Sequence, residues 1–304
     1  MHDQADQLRK LVRDSVAVRG DLAPGAPIIA VSGACPGVGA TTLACGLARE
    51  LSRLGKQVAL VDANLARPAV ADAFNIIPTA TIADILAGTR CAVEVVASAS
   101  RGVCIIPGAP PAAAAFDRAS VDRLLSELTA LSRQADVILI DAGAEMTPWA
   151  DRLWQAAAQV LLVTTPDDDA LLAAYAAVKL SRHDLLAARL RLVVNRGASE
   201  DQSTRAAARF GATCRRFLSL VTQRHVALPA TTPQLLQSPD GDDPFSRAVR
   251  LLAADVVCDY RTSAFRLPRW ASALRRLVVS DSRPPASAPA ITRASTARSA
   301  PLQR

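Results

Sequence analysis

Apolar positions along this chain follow two rhythms that alternate. Short unbroken apolar runs at 27–33 (PIIAVSG), 57–61, 103–106, 136–140, 159–164 and 190–194 are too short for helices and are bounded by Gly, Pro or Asp, so they read as strands. Between them, apolar residues recur at helical spacing over 41–54, 82–87, 117–133, 169–181, about 202–214 and 244–260, with an edge strand near 225–228. Strands that are apolar on both sides and alternate with helices predict an α/β fold: a mostly parallel sheet covered by helices on both faces. Ligands of such sheets bind at the carboxyl ends of the strands.

The two ends of the chain follow different patterns. Residues 3–19 predict a short amphipathic helix, with Asp3 as cap and Ala5, Leu8, Val12 and Val16 on one face. The stretch DLAPGAP that follows is a linker. Near the other end, FRLPRWASALRRLVV (265–279) puts Leu267, Trp270, Ala271, Leu274, Leu277 and Val278 on one face, opposite Arg269 and Arg276. Residues 282–304 are rich in Ser, Pro, Ala and Arg and too poor in apolar residues to fold. The organisation expected is a helix at 1–20, a linker at 21–26, the α/β domain at 27–262, an amphipathic basic helix at 263–280 and a disordered tail at 281–304.

Charge sharpens this division. The 304 residues sum to +7, yet the stretch from Arg261 to Arg304 alone carries nine arginines against one acid, Asp281. The basic character therefore lies in the tail and points it toward an anionic surface, whether membrane, nucleic acid or acidic protein. The six cysteines (Cys35, Cys45, Cys91, Cys104, Cys214, Cys258) form no CxxC pair, and His2, His183 and His225 are scattered. This spacing predicts neither a structural metal nor a disulfide framework and fits a reducing cytoplasm. The N-terminus MHDQADQLRK lacks the apolar core of a secretion signal, and no stretch is apolar for long enough to span a bilayer.

The candidate chemistry begins at the first strand. It runs into a glycine-bearing turn, Ala34-Cys35-Pro36-Gly37-Val38-Gly39-Ala40-Thr41-Thr42, and then into a helix. A strand, glycine turn and helix start of this kind can cradle phosphate oxygens with backbone N–H groups. Gly37, Val38, Gly39, Ala40, Thr41 and Thr42 are the expected nucleotide contacts, and Thr41 offers a hydroxyl to Mg²⁺. In a working phosphate loop a lysine precedes that Thr, where this chain has Ala40, and the only lysines are Lys10, Lys56 and Lys179.

Residues 28–62 resemble the start of the MinD/ParA family, whose loop reads K-G-G-V-G-K-T-[TS]. Against that pattern Cys35 stands at the family's signature lysine, Pro36 at a glycine and Ala40 at the second lysine. The resemblance implies ATP or ADP with Mg²⁺ as ligand, Asp62 and Asp141 as the carboxylates that support the metal, and Asn195 as the reader of adenine. It also implies an ATP-driven homodimer that needs the signature lysine. The family carries D-x-D after its second strand, where the second Asp helps position the attacking water, and here the third position is Asn64, which is neutral and cannot act as that carboxylate. These departures predict weak or absent hydrolysis with the nucleotide site retained.

Two further stretches narrow the resemblance. Thr164-Thr165-Pro166-Asp167-Asp168-Asp169-Ala170, followed by Ala174-Tyr175-Ala176-Ala177-Val178-Lys179, is similar to a stretch of the FlhG proteins, also called FleN or YlxH, which regulate flagellar number. The N-terminal Asp3-Gln4-Ala5-Asp6-Gln7-Leu8-Arg9 matches their D-Q-A-x-x-L-R motif. In that family the motif binds FlhF, a GTPase of the signal-recognition-particle type, and stimulates GTP hydrolysis. Carried over, Gln4 acts near the GTP site, Leu8, Arg9 and Val12 dock the helix, and Asp3 and Ala5 complete the motif. Flagellar switch proteins or a flagellar transcription activator are further partners that the resemblance implies. The segment at 265–279 resembles the C-terminal membrane helix of MinD-type proteins: Phe265, Leu267, Trp270, Leu274 and Leu277 would enter the interface, with Arg275 and Arg276 on anionic headgroups. Two alternatives share the loop: the P-loop domain of a bacterial tyrosine kinase and a ParA-like DNA-partition protein. A kinase of that type carries a C-terminal tyrosine cluster, whereas this chain has only Tyr175 and Tyr260. A partition protein leaves the D-Q-A-x-x-L-R motif unexplained.

Overall fold

A computed structural model describes residues 25–109, 118–181, 190–230 and 243–262. The N-terminal motif helix, the amphipathic segment at 263–280 and the tail lie outside the described residues. In chain order the elements are β1 (Ile28–Gly33), α1 (Ala40–Arg53), β2 (Val58–Asp62), α2 (Val70–Ala73), α3 (Ile82–Ala87), α4 (Ala92–Val95), β3 (Ala97–Ser100) and β4 (Val103–Ile106). They continue with α5 (Arg118–Leu131), β5 (Val137–Asp141), α6 (Pro148–Ala156), β6 (Gln159–Thr164), α7 (Asp168–Ser181), β7 (Leu190–Asn195), α8 (Glu200–Leu218), β8 (Val226–Leu228) and α9 (Pro244–Thr262).

The strands form one sheet in the order β3-β4-β2-β5-β1-β6-β7-β8. Every neighbouring pair is parallel except β3 with β4. The central strands are buried from end to end, which is why their sequences do not alternate polar with apolar. Their side chains alternate between two cores instead. Ala30, Ile138, Ile140 and Leu162 face a core closed by α3 to α8, with Trp154 of α6 at its centre. Ile29, Val31, Leu139 and Leu161 face a second core under α1 and α9, filled by Leu43, Leu47, Phe245 and Val249.

Within the described residues, each strand and helix expected of the α/β domain is found within a few residues of its expected bounds. Four elements were not foreseen. The α2 and α4 helices are single turns of four residues. The edge strand β3 is Ala-Ser-Ala-Ser, without the branched residues that mark a strand. The α6 helix (Pro148–Ala156) has a start marked by its own residues. Thr147 accepts from the Ala150 N–H at 3.2 Å and Pro148 occupies the first turn.

Candidate phosphate-loop site

Because β1, β2, β5, β6 and β7 are parallel, their carboxyl ends open at one edge of the sheet. That edge gathers the phosphate loop, Asp62, Asp141, the Thr164-Thr165 turn and Asn195. The loop is tied down by its own backbone. The Gly33 N–H donates to Gly143 O at 2.8 Å and the Ala34 N–H to Val163 O at 2.7 Å, anchoring it to strands on either side of β1. Gly37 and Gly39 have φ of 83° and 95°, the left-handed region that favours glycine. Gly39 precedes α1 and supplies no side-chain cap, so the first N–H groups of that helix face the loop, an arrangement suited to an anion.

Gly39 is also fixed by a close approach. A Cβ there would lie 2.5 Å from Nδ2 of Asn195. That amide, only 3% exposed, donates to Val38 O at 2.8 Å, and its Oδ1 accepts the Arg196 N–H at 2.9 Å. Asn195 thus stands beside the loop as its sequence position implies, with its amide engaged by loop backbone.

On the other side of β1 are the oxygen ligands. The Thr41 hydroxyl donates to Asp141 Oδ2 at 2.5 Å, and Asp141 Oδ1 accepts the Gly143 N–H at 3.1 Å. Asp62 lies opposite Asp141 in the β2–β5 register. Its Oδ2 accepts the N–H groups of Ala69 and Val70, each at 2.9 Å, and its Oδ1 accepts that of Asn64 at 3.2 Å, so it caps the single-turn α2. Gly108 makes room for this carboxylate: a Cβ there would be 2.8 Å from Asp62 Cγ. Thr41, Asp62 and Asp141 form the hard, all-oxygen donor set that Mg²⁺ takes. They fit that ion, with Asp62 suited to act through bound water because its oxygens already hold three backbone donors.

The electrostatics are those of a site short of positive charge. Burial pushes the Asp62 carboxyl up to about 7, assisted by the neighbouring Asp141 against the backbone hydrogen bonds. Burial likewise raises Asp141, opposed by the bonds from Thr41 and Gly143. The Cys35 thiol, at the position of the family's signature lysine, is pushed up by burial and by the carboxylates of Asp167 and Asp169. These two acids, from the turn into α7, face a thiol where a lysine would have met them. Ala40 is buried in the helix start and carries no charge. Asn64 Oδ1 accepts the Arg67 N–H at 3.1 Å and packs against Gly143, so it serves as a turn-former.

No protein-family model matches the chain. It is 29% identical over 205 residues to the antiactivator FleN of Pseudomonas aeruginosa, a match that covers 66% of this chain and 73% of FleN. It is 28% identical over 156 residues to the flagellum site-determining protein YlxH of Helicobacter pylori, covering 50% of this chain and 53% of that protein. Among solved structures it is similar to the septum site-determining protein MinD of Pyrococcus horikoshii complexed with Mg-ADP. That likeness has a TM-score of 0.60 at 20% identity and covers 76% of this chain and 96% of that one. With its mostly parallel sheet and strand-end phosphate loop, the chain has the fold of the MinD/ParA ATPases and is similar in sequence to the FlhG proteins FleN and YlxH.

Proposed function

We propose that the chain is an FlhG-like regulator of flagellar number that acts by binding, with ATP turnover weak or absent. Its N-terminal helix would bind an FlhF-type GTPase and stimulate GTP hydrolysis, while the P-loop domain carries that helix and retains a site for ATP or ADP with Mg²⁺. The observation that carries this reading is a phosphate loop intact in backbone but with cysteine and alanine at both lysine positions, in a chain similar to FleN and YlxH. Geometry for holding an anion has been kept, and the charges that stabilise a phosphoryl transition state have not. Activation of a partner GTPase needs no hydrolysis in this domain. An amide such as that of Gln4 can orient a water or stabilise leaving-group charge.

A surface remote from the loop supports a second partner. Arg209 pairs with Asp168 at 2.8 Å and Tyr175 meets Phe217 edge-on with ring centroids 6.5 Å apart, so α7 and α8 run side by side in the same direction. At and beyond the ends of these helices Leu180, Phe217 and Val221 are each more than 60% exposed, next to the exposed Lys179, Arg215 and Arg216. An apolar surface rimmed by cations suits an acidic, apolar segment of a flagellar switch protein or transcription activator.

The test is GTP turnover by the cognate FlhF-type GTPase with the full chain. Wild type should stimulate it, Gln4→Ala should lose about ten-fold of that stimulation, and Phe217→Glu should keep it while losing capture of the switch protein. A wild-type chain without effect on GTP turnover would sink the activator reading. No helix among the described residues is long and apolar enough to cross a membrane. The membrane contact proposed for the 263–280 segment predicts that deleting residues 261–280 abolishes flotation with anionic liposomes; flotation that survives the deletion would remove that role.

A further inference from the structure

The two edges of the sheet carry opposite charge. Around the carboxyl ends of the strands stand Asp62, Asp141, Asp167, Asp169, Glu200 and Asp201. The amino ends of β4, β2 and β5 are preceded instead by Arg101, by Arg53 and Lys56, and by Arg133, with Asp136 as the acid among them. The register brings these turns together, since Val58 lies opposite both Val103 and Val137. The Val58 N–H donates to Gly102 O at 2.8 Å and the Asp136 N–H to Gln57 O at 2.7 Å, while Asp136 Oδ2 accepts the Gln57 N–H at 2.8 Å. Arg101 and Arg133 are exposed and Lys56 is half-buried. Helix ends favour cations, which accounts for Arg53 in the last turn of α1. That preference does not account for Lys56 and Arg101, which lie in turns beyond any helix.

Between these turns lies a cleft of about 160 Å³. Gln57, Ser98, Ser100 and Gln134 line it with amides and hydroxyls, and among the described residues no acid lines it. Each lining segment carries a cation at the adjoining residue: Lys56 before Gln57, Arg101 after Ser100 and Arg133 before Gln134. Leu54, 44% exposed, follows Arg53 in the same turn. Uncharged donors, adjoining cations and an exposed apolar side chain are a composition suited to a layer of anionic lipid headgroups. The basic amphipathic segment leaves from the same side. The α1 helix runs from the phosphate loop toward this edge, and α9 runs beside it in the same direction, with Phe245 beside Gly46 and Arg250 Nε donating to Glu50 Oε2 at 3.0 Å. The Thr262 end of α9, which leads into the 263–280 segment, therefore lies on this side of the sheet. We propose that the amino-end edge is a second lipid-contact surface, resting on an anionic membrane with the phosphate-loop edge turned away from it. The inference rests on the reading that the 263–280 segment binds membrane, and it adds the domain's own cations and a fixed orientation to that contact. Duplex DNA is the less suited anionic surface, because Leu54 and the apolar face of the 265–279 stretch have nothing to meet on a phosphate backbone.

The test is partition of the full chain onto vesicles of phosphatidylglycerol and phosphatidylcholine in equal parts. Wild type should bind them. Lys56→Gln with Arg101→Gln should weaken partition about thirty-fold, about five-fold for each cation, at an unchanged melting temperature. Arg67→Gln with Arg205→Gln removes the same charge on the acidic side and should leave partition within about two-fold of wild type, because screening confines each charge to its own surroundings. A Lys56, Arg101 variant that partitions like wild type would overturn this inference and leave the 263–280 reading standing. An equal loss from the Arg67, Arg205 pair would reduce the effect to net charge and overturn it too. A wild-type chain that ignores the vesicles would overturn the membrane reading, and this inference with it. Tighter binding to duplex DNA than to the vesicles, lost in the Lys56, Arg101 variant, would overturn it in favour of a nucleic-acid face.

Discussion

Full-length chain mixed with Mg-ATP is expected to release phosphate at least about a thousand-fold more slowly than the triple variant Cys35→Lys, Ala40→Lys, Asn64→Asp, a difference of about 4 kcal/mol in barrier. The expectation follows from what each position faces. Residue 40 opens α1 at the loop, where a lysine would neutralise the terminal phosphates. Residue 35 faces Asp167 and Asp169, which would hold a lysine and now only raise the pKa of a thiol. Residue 64 keeps its turn bond to the Arg67 N–H whether it is an amide or a carboxylate. Removal of a single charge-stabilising group from a transition state commonly costs about 10²–10³ in rate, so loss of both lysines accounts for the size expected. Phosphate release measured at matched protein concentration decides the matter. Wild-type turnover within about ten-fold of the restored variant would show that another group supplies the charge.

The second large effect concerns stability and pH. Asp62 titrates near 3.8 as a free carboxyl and at about 7 in the folded domain. Between those values the folded chain holds a proton that the unfolded chain has released, so the contribution of Asp62 to stability is fully present below about pH 4 and is lost as pH rises through 7. The full swing from this one group is about 4 kcal/mol, three units at 1.36 kcal/mol each. Asp62→Asn removes the titration, and urea denaturation in EDTA should show it about 2 kcal/mol more stable than wild type at pH 8, after allowance for the weaker cap on α2. Mg²⁺ should raise the stability of wild type at pH 8 more than that of the variant. A wild-type stability that stays level from pH 5 to pH 8 in EDTA would contradict the burial argument.

Much of this could be read in the sequence, for identifiable reasons. A parallel sheet buries its strands on both sides, so 136–140 and 159–164 stand out as unbroken apolar runs, and each ends at the edge where the site lies. Thr41 follows from its place in the first turn of α1 after the glycine loop, and the two aspartates from theirs at the ends of β2 and β5. Side-chain partners were not legible. Nothing local shows that Asn195 would bond to Val38, 157 positions away, or that Asp62 would turn to cap α2. The left-handed backbone at Arg196 escaped notice because positive φ leaves no compositional mark when the residue is not Gly or Asn. The strand β3 was missed because Ala-Ser-Ala-Ser lacks the branched residues that mark a strand, and it is its hairpin pairing with β4 that holds it extended.

The loop is held by Gly33 on Gly143, Ala34 on Val163 and Asn195 on Val38, bonds that involve neither of the positions where lysine is missing. Its shape is therefore indifferent to the charge it presents. Over generations such a domain can shed catalytic side chains by drift without passing through an unfolded intermediate. If selection comes to rest on a function outside the loop, the core survives as inherited architecture. Three codons separate it from the family's charge pattern, a distance short enough for laboratory evolution to retrace.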